Sequence, residues 1–397
     1  MLKFHFKEKL HSIIHQSWCV VWGSAGVVIG VVVGEIWQIN FMDAWWVLVA
    51  GLILMLISYL KPMRVGMAFA LMSGVMVGMH RVSVSLVISA EEGSSVNEWA
   101  WVINLRDFFA ERIRMVVLGP EVNLGLSYLL GMKMGLDAEL SNNLRTVGLT
   151  HIVVASGAHL SILVEVARGI FGRLSRMSGL IFSGLFILIF MAMVGFTPSI
   201  LRAGLMTGLT LIAWYSGRKI APVRLILMVA AVTLMIDPEF ISNLGWQLSF
   251  ASYAGIMLIG PGLTKFFYGK RRPGFIASTV LTTLAATMMT LPITLYYFGQ
   301  MSLINVVANL LILPTLPYAM GLMFLSGLVA GVPGVETVVG FVTTRLLDYH
   351  IGVVGYFGGM PQFLIEIEKY QWWVFLLYLP LGILFIVKYI KRRRHVS

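Results

Sequence analysis

The stretch Gly148–Val166, GLTHIVVASGAHLSILVEV, has the length and apolar character of a membrane crossing. It nevertheless carries His151, Ser156, His159 and Glu165, groups that are costly to place in hydrocarbon. A bilayer tolerates such side chains when they face other helices or a water-filled space. His151, Ala155 and His159 recur at i, i+4 and i+8 with Ser156 beside them, so in one helix they share a polar face. That face reads either as packing against neighbouring helices or as the lining of a hydrated cavity.

The rest of the chain places this stretch in an all-α polytopic membrane protein. Of 397 residues, 58% are hydrophobic and only 12% charged, with a mean hydropathy of +0.87, outside the composition of soluble domains. Apolar runs bounded by charge, Pro or Gly predict about twelve spans, near 18–37, 44–60, 65–79, 147–167, 178–196, 199–215, 222–236, 244–261, 274–298, 303–331, 335–358 and 372–390. The run 303–331 is long and holds Pro314 and Pro317, which predicts a broken crossing or two half-crossings. Counting it once puts Lys3/Lys7/Lys9, Lys61/Arg64, Arg168/Arg173/Arg176, Arg218/Lys219/Arg224, Lys265/Lys270/Arg271/Arg272 and the tail at 391–395 on one side, the cytoplasmic one. Both termini are then inside. The net charge of +11 follows largely from this bias.

Residues 1–79 read as an N-terminal three-helix membrane segment. The interval 80–121 reads as an outer polar segment followed by an amphipathic helix. There Val102, Leu105, Phe108, Phe109, Ile113 and Val116 recur at helical spacing, as expected for a helix lying on the outer membrane surface. The segment 123–136 is short for a crossing and predicts a short helix or a re-entrant dip. Residues 122–397 form the main membrane domain.

Several function classes find no support. There is no HExxH, CxxC or GxxxxGK[ST] pattern, so neither a familiar metal site nor a nucleotide-driven pump is expected. No cofactor is expected, and the single Cys19 allows no intrachain disulfide. A hydrolase using Ser156 with His151 or His159 would need a partner from elsewhere for in-line geometry.

Three further segments put polar chemistry in the spans. In 195–209, Pro198 starts a helix and Arg202, one turn inward, either snorkels to the interface or faces a cavity as a fixed guanidinium. In 243–256, Asn243, Gln247 and two serines interleave with Trp246, Phe250 and Tyr253, rings that are interface packing or a surface on which bases stack. In 291–317, Asn305 and Asn309 share a face next to proline breaks. Arg345 and Asp348 are spaced for an intrahelical ion pair.

In this order, LLGMKMGLDAELSNNLRTVGLTHIVVASGAH, TPSILRA, DPEFISNLGWQLSFASYAGI and LPITLYYFGQMSLINVVANLLILP resemble the competence domain of the ComEC family, bacterial inner-membrane DNA-uptake channels. Where members typically read Ser-Gly-Leu-His, this chain has Ser156-Gly157-Ala158-His159. Full-length members also carry an OB-like domain and a metallo-β-lactamase-like nuclease domain, neither of which has a counterpart in this sequence, so strand degradation is not expected of it.

The resemblance implies that residues 122–397 form a channel passing single-stranded DNA inward. Lys133, Arg145 and Arg202 would attract phosphates, while His151, Ser156, His159, Gln247, Asn305 and Asn309 would replace part of the strand's hydration. Trp246, Phe250 and Tyr253 would stack bases. The implied partners are an outer DNA receptor, a separate nuclease and a cytosolic helicase or single-strand-binding protein, besides the lipid bilayer. A secondary transporter with broken helices around a small anionic or lipid substrate is the alternative.

Overall fold

The computed structural model describes residues 2–37, 53–54, 63–91, 100–132, 135–153, 157–218, 220–360, 364–369 and 371–378. These are nearly all helical. They divide into two compact units: Met1–Glu98, Val166–Ile187 and Phe196–Gln247 form the first, and Trp99–Glu165, Leu188–Gly195 and Leu248–Ser397 the second.

The first unit opens with α1 (Leu2–Trp37) and α2 (Met63–Glu91). Their crossing is close because glycine meets backbone: a Cβ on Gly26 would stand 2.2 Å from the carbonyl oxygen of Leu71, and one on Gly74 2.1 Å from that of Gly23. With lipid on the outside, dispersion at such short range is what holds membrane helices together. α2 runs past the expected end at 79 and carries Arg81, which donates to the carbonyls of Met235 (2.8 Å) and Ile236 (2.7 Å). Those carbonyls end α10 (Pro222–Ile236), which packs beside α9 (Pro198–Tyr215) and α1.

The second unit is built around α4 (Glu121–Leu130), which is buried from Leu124 to Leu130. This is the short helix expected within 123–136. It follows α3 (Ala100–Val116), the expected amphipathic helix. Ala110 and Ile113 of α3 are buried in the unit's core, while Leu105, Phe108 and Met115 are exposed, so the apolar face is shared between protein and surroundings rather than given wholly to a membrane surface. α5 (Ala138–Val147), α6 (Thr150–Val153) and α7 (Gly157–Phe171) follow, α7 running on into the first unit, as α8 (Arg176–Val194) runs from the first into the second.

α11 (Leu244–Ala254) continues through a π-turn, Gly255–Ile259, into α12 (Gly260–Tyr268). α13 (Phe275–Phe298) leads to a two-stranded antiparallel sheet in which β1 (Gln300–Ser302) pairs with β2 (Leu364–Glu366), Met301 opposite Ile365. Between the strands lie α14 (Asn305–Ile312), α15 (Leu316–Val329) and α16 (Val335–Gly358).

Among the described residues three helices are long and apolar enough to cross a membrane: Trp18–Glu35 of α1, α8 and α13. The bent pair α14 and α15 makes a fourth if it counts as one span. The protein is thus a helical membrane protein with fewer plain spans than the twelve expected. The shortfall has visible causes. α10 has 15 residues, about 22 Å, against roughly 30 Å of hydrocarbon. α11 ends after 11 residues at the π-turn, and most of 44–60 and 372–390 lies outside the described residues. The break expected within 303–331 is present, with a bend of 46° between α14 and α15.

Candidate functional site

Pro314 lies between α14 and α15, where the helical hydrogen-bond ladder is interrupted and carbonyls are released. In a membrane protein each released group needs a partner inside the protein. Thr315 Oγ1 and its backbone N–H both serve Ile312 O, at 2.9 and 3.1 Å. Tyr349 of α16 donates its hydroxyl to Leu311 O at 3.2 Å. His350, fully buried, places Nε2 2.7 Å from Thr315 Oγ1.

From this bend a buried polar core extends through the second unit. The ring of His350 lies edge-on to Tyr128 of α4 with centroids 5.8 Å apart. On the other side Tyr128 meets His159 of α7 at 6.2 Å. Tyr128 and His159 are both essentially inaccessible. At the start of α14, Asn309 donates to Asn305 Oδ1, and Asn305 donates to Gly148 O at 3.4 Å. Gly148 closes α5 at φ +79°, and a Cβ there would stand 2.9 Å from Asn305 Nδ2. The Gly148 stretch and the proline break, far apart in sequence, therefore meet in one cluster.

In the first unit, Arg202 lies one turn inside α9, whose first residue is Pro198. It is buried, with Nη1 3.3 Å from the Met206 sulfur. Nearby, the segment after α10 folds as a capped corner. Asp237 accepts from Glu239 N, Asn243 from Trp246 N, and Ser199 donates to Gly245 O. Gln247 donates Nε2 to Ile241 O at 2.8 Å, and Trp246 donates its indole N–H to Thr233 at 3.0 Å.

The expected site residues thus separate into groups. His159, Asn305 and Asn309 come together in the second unit. Arg202, Trp246 and Gln247 belong to the first. Phe250 is buried and Tyr253 half-buried, both on α11, and Arg145 is exposed near the end of α5. His151 lies on α6, its side chain outside the described residues, as are Lys133 and Ser156. The shared-face argument for His151 and His159 runs through residues 154–156, also outside them. Arg345 and Asp348 form the expected pair at 3.6 Å, and the guanidinium also lies over Phe341 at 5.3 Å. Sequence reading missed Tyr128, Thr315 and His350; the available signal was Thr315 beside Pro314, a hydroxyl placed to serve a broken ladder. Among the described residues no three His, Cys, Asp or Glu side chains gather as a metal site.

The competence protein family model matches residues 128–393. The chain belongs to this family. ComE operon protein 3 of Bacillus subtilis (strain 168) is 29% identical to it over 181 residues, 45% of this chain and 23% of that protein. An uncharacterized protein of Aquifex aeolicus (strain VF5) is 26% identical over 200 residues, 49% of this chain and 46% of that protein. The matched part is less than half of either relative's length. No solved structure matches. The competence segment begins at Tyr128 itself and contains both the α14–α15 bend and the Arg202 helix.

Proposed function

We propose that this membrane protein serves DNA uptake in competence by conducting a single strand across the bacterial inner membrane into the cytoplasm. The observation that carries the reading is the family match over residues 128–393, within which every residue assigned to the path falls. In this reading the whole chain makes about twelve crossings with both termini cytoplasmic, and residues 122–397 are the channel.

A strand with one charge per nucleotide needs fixed cations to offset its desolvation and polar groups to stand in for water. Lys133, Arg145 and Arg202 attract phosphates near the outer mouth. His151, Ser156, His159, Gln247, Asn305 and Asn309 supply hydrogen bonds, and Trp246, Phe250 and Tyr253 supply ring faces for bases. His159, Arg202, Asn309, Trp246 and Phe250 are all buried in the conformation described, so conduction in this reading requires their contacts to separate. Movement comes from a cytosolic helicase or single-strand-binding protein, and an outer receptor and a separate nuclease deliver the strand.

The test is uptake of labelled single-stranded and duplex DNA by a deletion strain carrying the wild type, Arg202→Ala, Arg202→Lys or His159→Ala. Both alanine variants are expected to lower single-strand entry at least about tenfold, a barrier increase of about 1.4 kcal/mol, at an unchanged amount of membrane protein. Arg202→Lys should recover part of it. Uptake at the wild-type level in both alanine variants would remove the path assignment.

A further inference from the structure

The last turn of α12 carries Lys265 and the turn to α13 carries Lys270, Arg271 and Arg272, all exposed. None of the four makes an ion pair with a described residue, and no Asp or Glu occurs anywhere between Glu239 and Glu336. Directly beside this turn is a groove of about 750 Å³ between the end of α12 and the first turns of α13, walled by Phe267, Tyr268, Phe275, Ile276, Val280 and Leu284. The rims are strongly exposed, Phe275 by 67% and Ile276 by 65%.

Three features select the occupant. The groove runs down the beginning of α13, one of the helices apolar enough to cross the membrane, so a crossing by α13 brings the groove alongside hydrocarbon. From Phe275 to Leu284 it follows α13 for about 14 Å, close to the roughly 15 Å of one leaflet's hydrocarbon. The turn that adjoins it, between Tyr268 and Gly274, carries three cations and no carboxylate. An apolar groove along a membrane-spanning helix, with unpaired cations in the adjoining turn, matches the polarity of an anionic amphiphile, and clusters of Lys and Arg next to a span attract anionic headgroups. A nucleic-acid strand would match the cations and leave the groove unfilled; an acidic peptide would have to enter hydrocarbon to use it.

We propose that the α12–α13 hairpin is a binding site for an anionic glycerophospholipid, its phosphate on Lys270, Arg271 and Arg272 and an acyl chain in the groove. The site depends on the protein being in a membrane and is independent of strand conduction, so it can fail or stand without touching that reading.

The experiment uses the full chain in nanodiscs of equal phosphatidylglycerol and phosphatidylcholine, extracted into detergent, with the retained lipids quantified. The wild type should keep phosphatidylglycerol about tenfold over phosphatidylcholine. The triple variant Lys270→Gln, Arg271→Gln, Arg272→Gln should abolish that preference, since cations worth up to about fivefold each more than cover a roughly tenfold margin. Its positions are exposed, so folding is not at risk. Val280→Trp, which plugs the groove, should reduce phosphatidylglycerol retention with the cations intact. Equal retention of the two lipids by the wild type, or an undiminished preference in the triple variant, overturns the site. So does a labelled ten-nucleotide single strand whose binding the triple variant loses while phosphatidylglycerol retention stays unchanged.

Discussion

Gly148 and Thr315 each hold a junction, one through its backbone conformation and the other through its hydroxyl. At φ +79° a side chain on residue 148 costs about 1–2 kcal/mol, and its Cβ would also push Asn305 off the carbonyl it bonds. Gly148→Ala should therefore lower the unfolding temperature of the detergent-solubilised protein; an unchanged midpoint would show that Asn305 moves aside freely. Thr315 Oγ1 serves two buried partners, Ile312 O and His350 Nε2. Thr315→Val keeps the shape and strands both, at a cost of about 1–3 kcal/mol, whereas Thr315→Ser retains both bonds. Valine and serine variants of equal stability would mean that the hydroxyl contributes only volume.

The helices themselves were largely legible in the sequence, and their junctions were not. Pro314 and Pro317 announce a break because proline removes a ladder donor and clashes with the preceding turn, and the break is there. Asn305 and Asn309 share a face, and the structure joins them by a hydrogen bond. Tyr128 and His350 were illegible as site residues because they are far apart in sequence and gain meaning only when α4, α7 and α16 converge. The π-turn at Gly255–Ile259 has no periodic signal of its own, so 244–261 reads as one plain span. The docking of α3 was hidden in the same way. Its Arg112 donates to Gly327 O at 2.8 Å and Ala330 O at 2.6 Å, capping the end of α15. Hydrogen bonds from a charged group are worth about 1.5–3 kcal/mol, so Arg112→Ala should raise amide exchange across 100–116. Arg112→Lys should restore only part of the protection, because a single ammonium cannot reproduce the fork of the guanidinium. Full protection in the lysine variant would reduce the contact to charge alone.

At the scale of the whole molecule, the open quantity is how many helices cross. α10, at about 22 Å, is short for roughly 30 Å of hydrocarbon, but it is bracketed by Arg218, Lys219 and Arg224 on one side and Asp237 and Glu239 on the other. Such an asymmetry is what sets orientation in short loops, and the cost of mismatch is only fractions of a kcal/mol per Å, met by local thinning of the bilayer. The charge pattern should therefore prevail over the length deficit. The same reasoning places the turn at Lys270 on the basic side and the acidic Glu366 and Glu368 on the other, with α13 between Lys270 and the sheet. In a Cys19→Ser background, single cysteines at Arg218 and Lys270 should react with a membrane-impermeant maleimide only from the cytoplasmic face of sealed vesicles. Cysteines at Glu239 and Glu366 should react only from the opposite face. If Arg218 and Glu239 label from one side, α10 does not cross, the count of about twelve falls, and the basic clusters no longer share a face from which a conducted strand could be received.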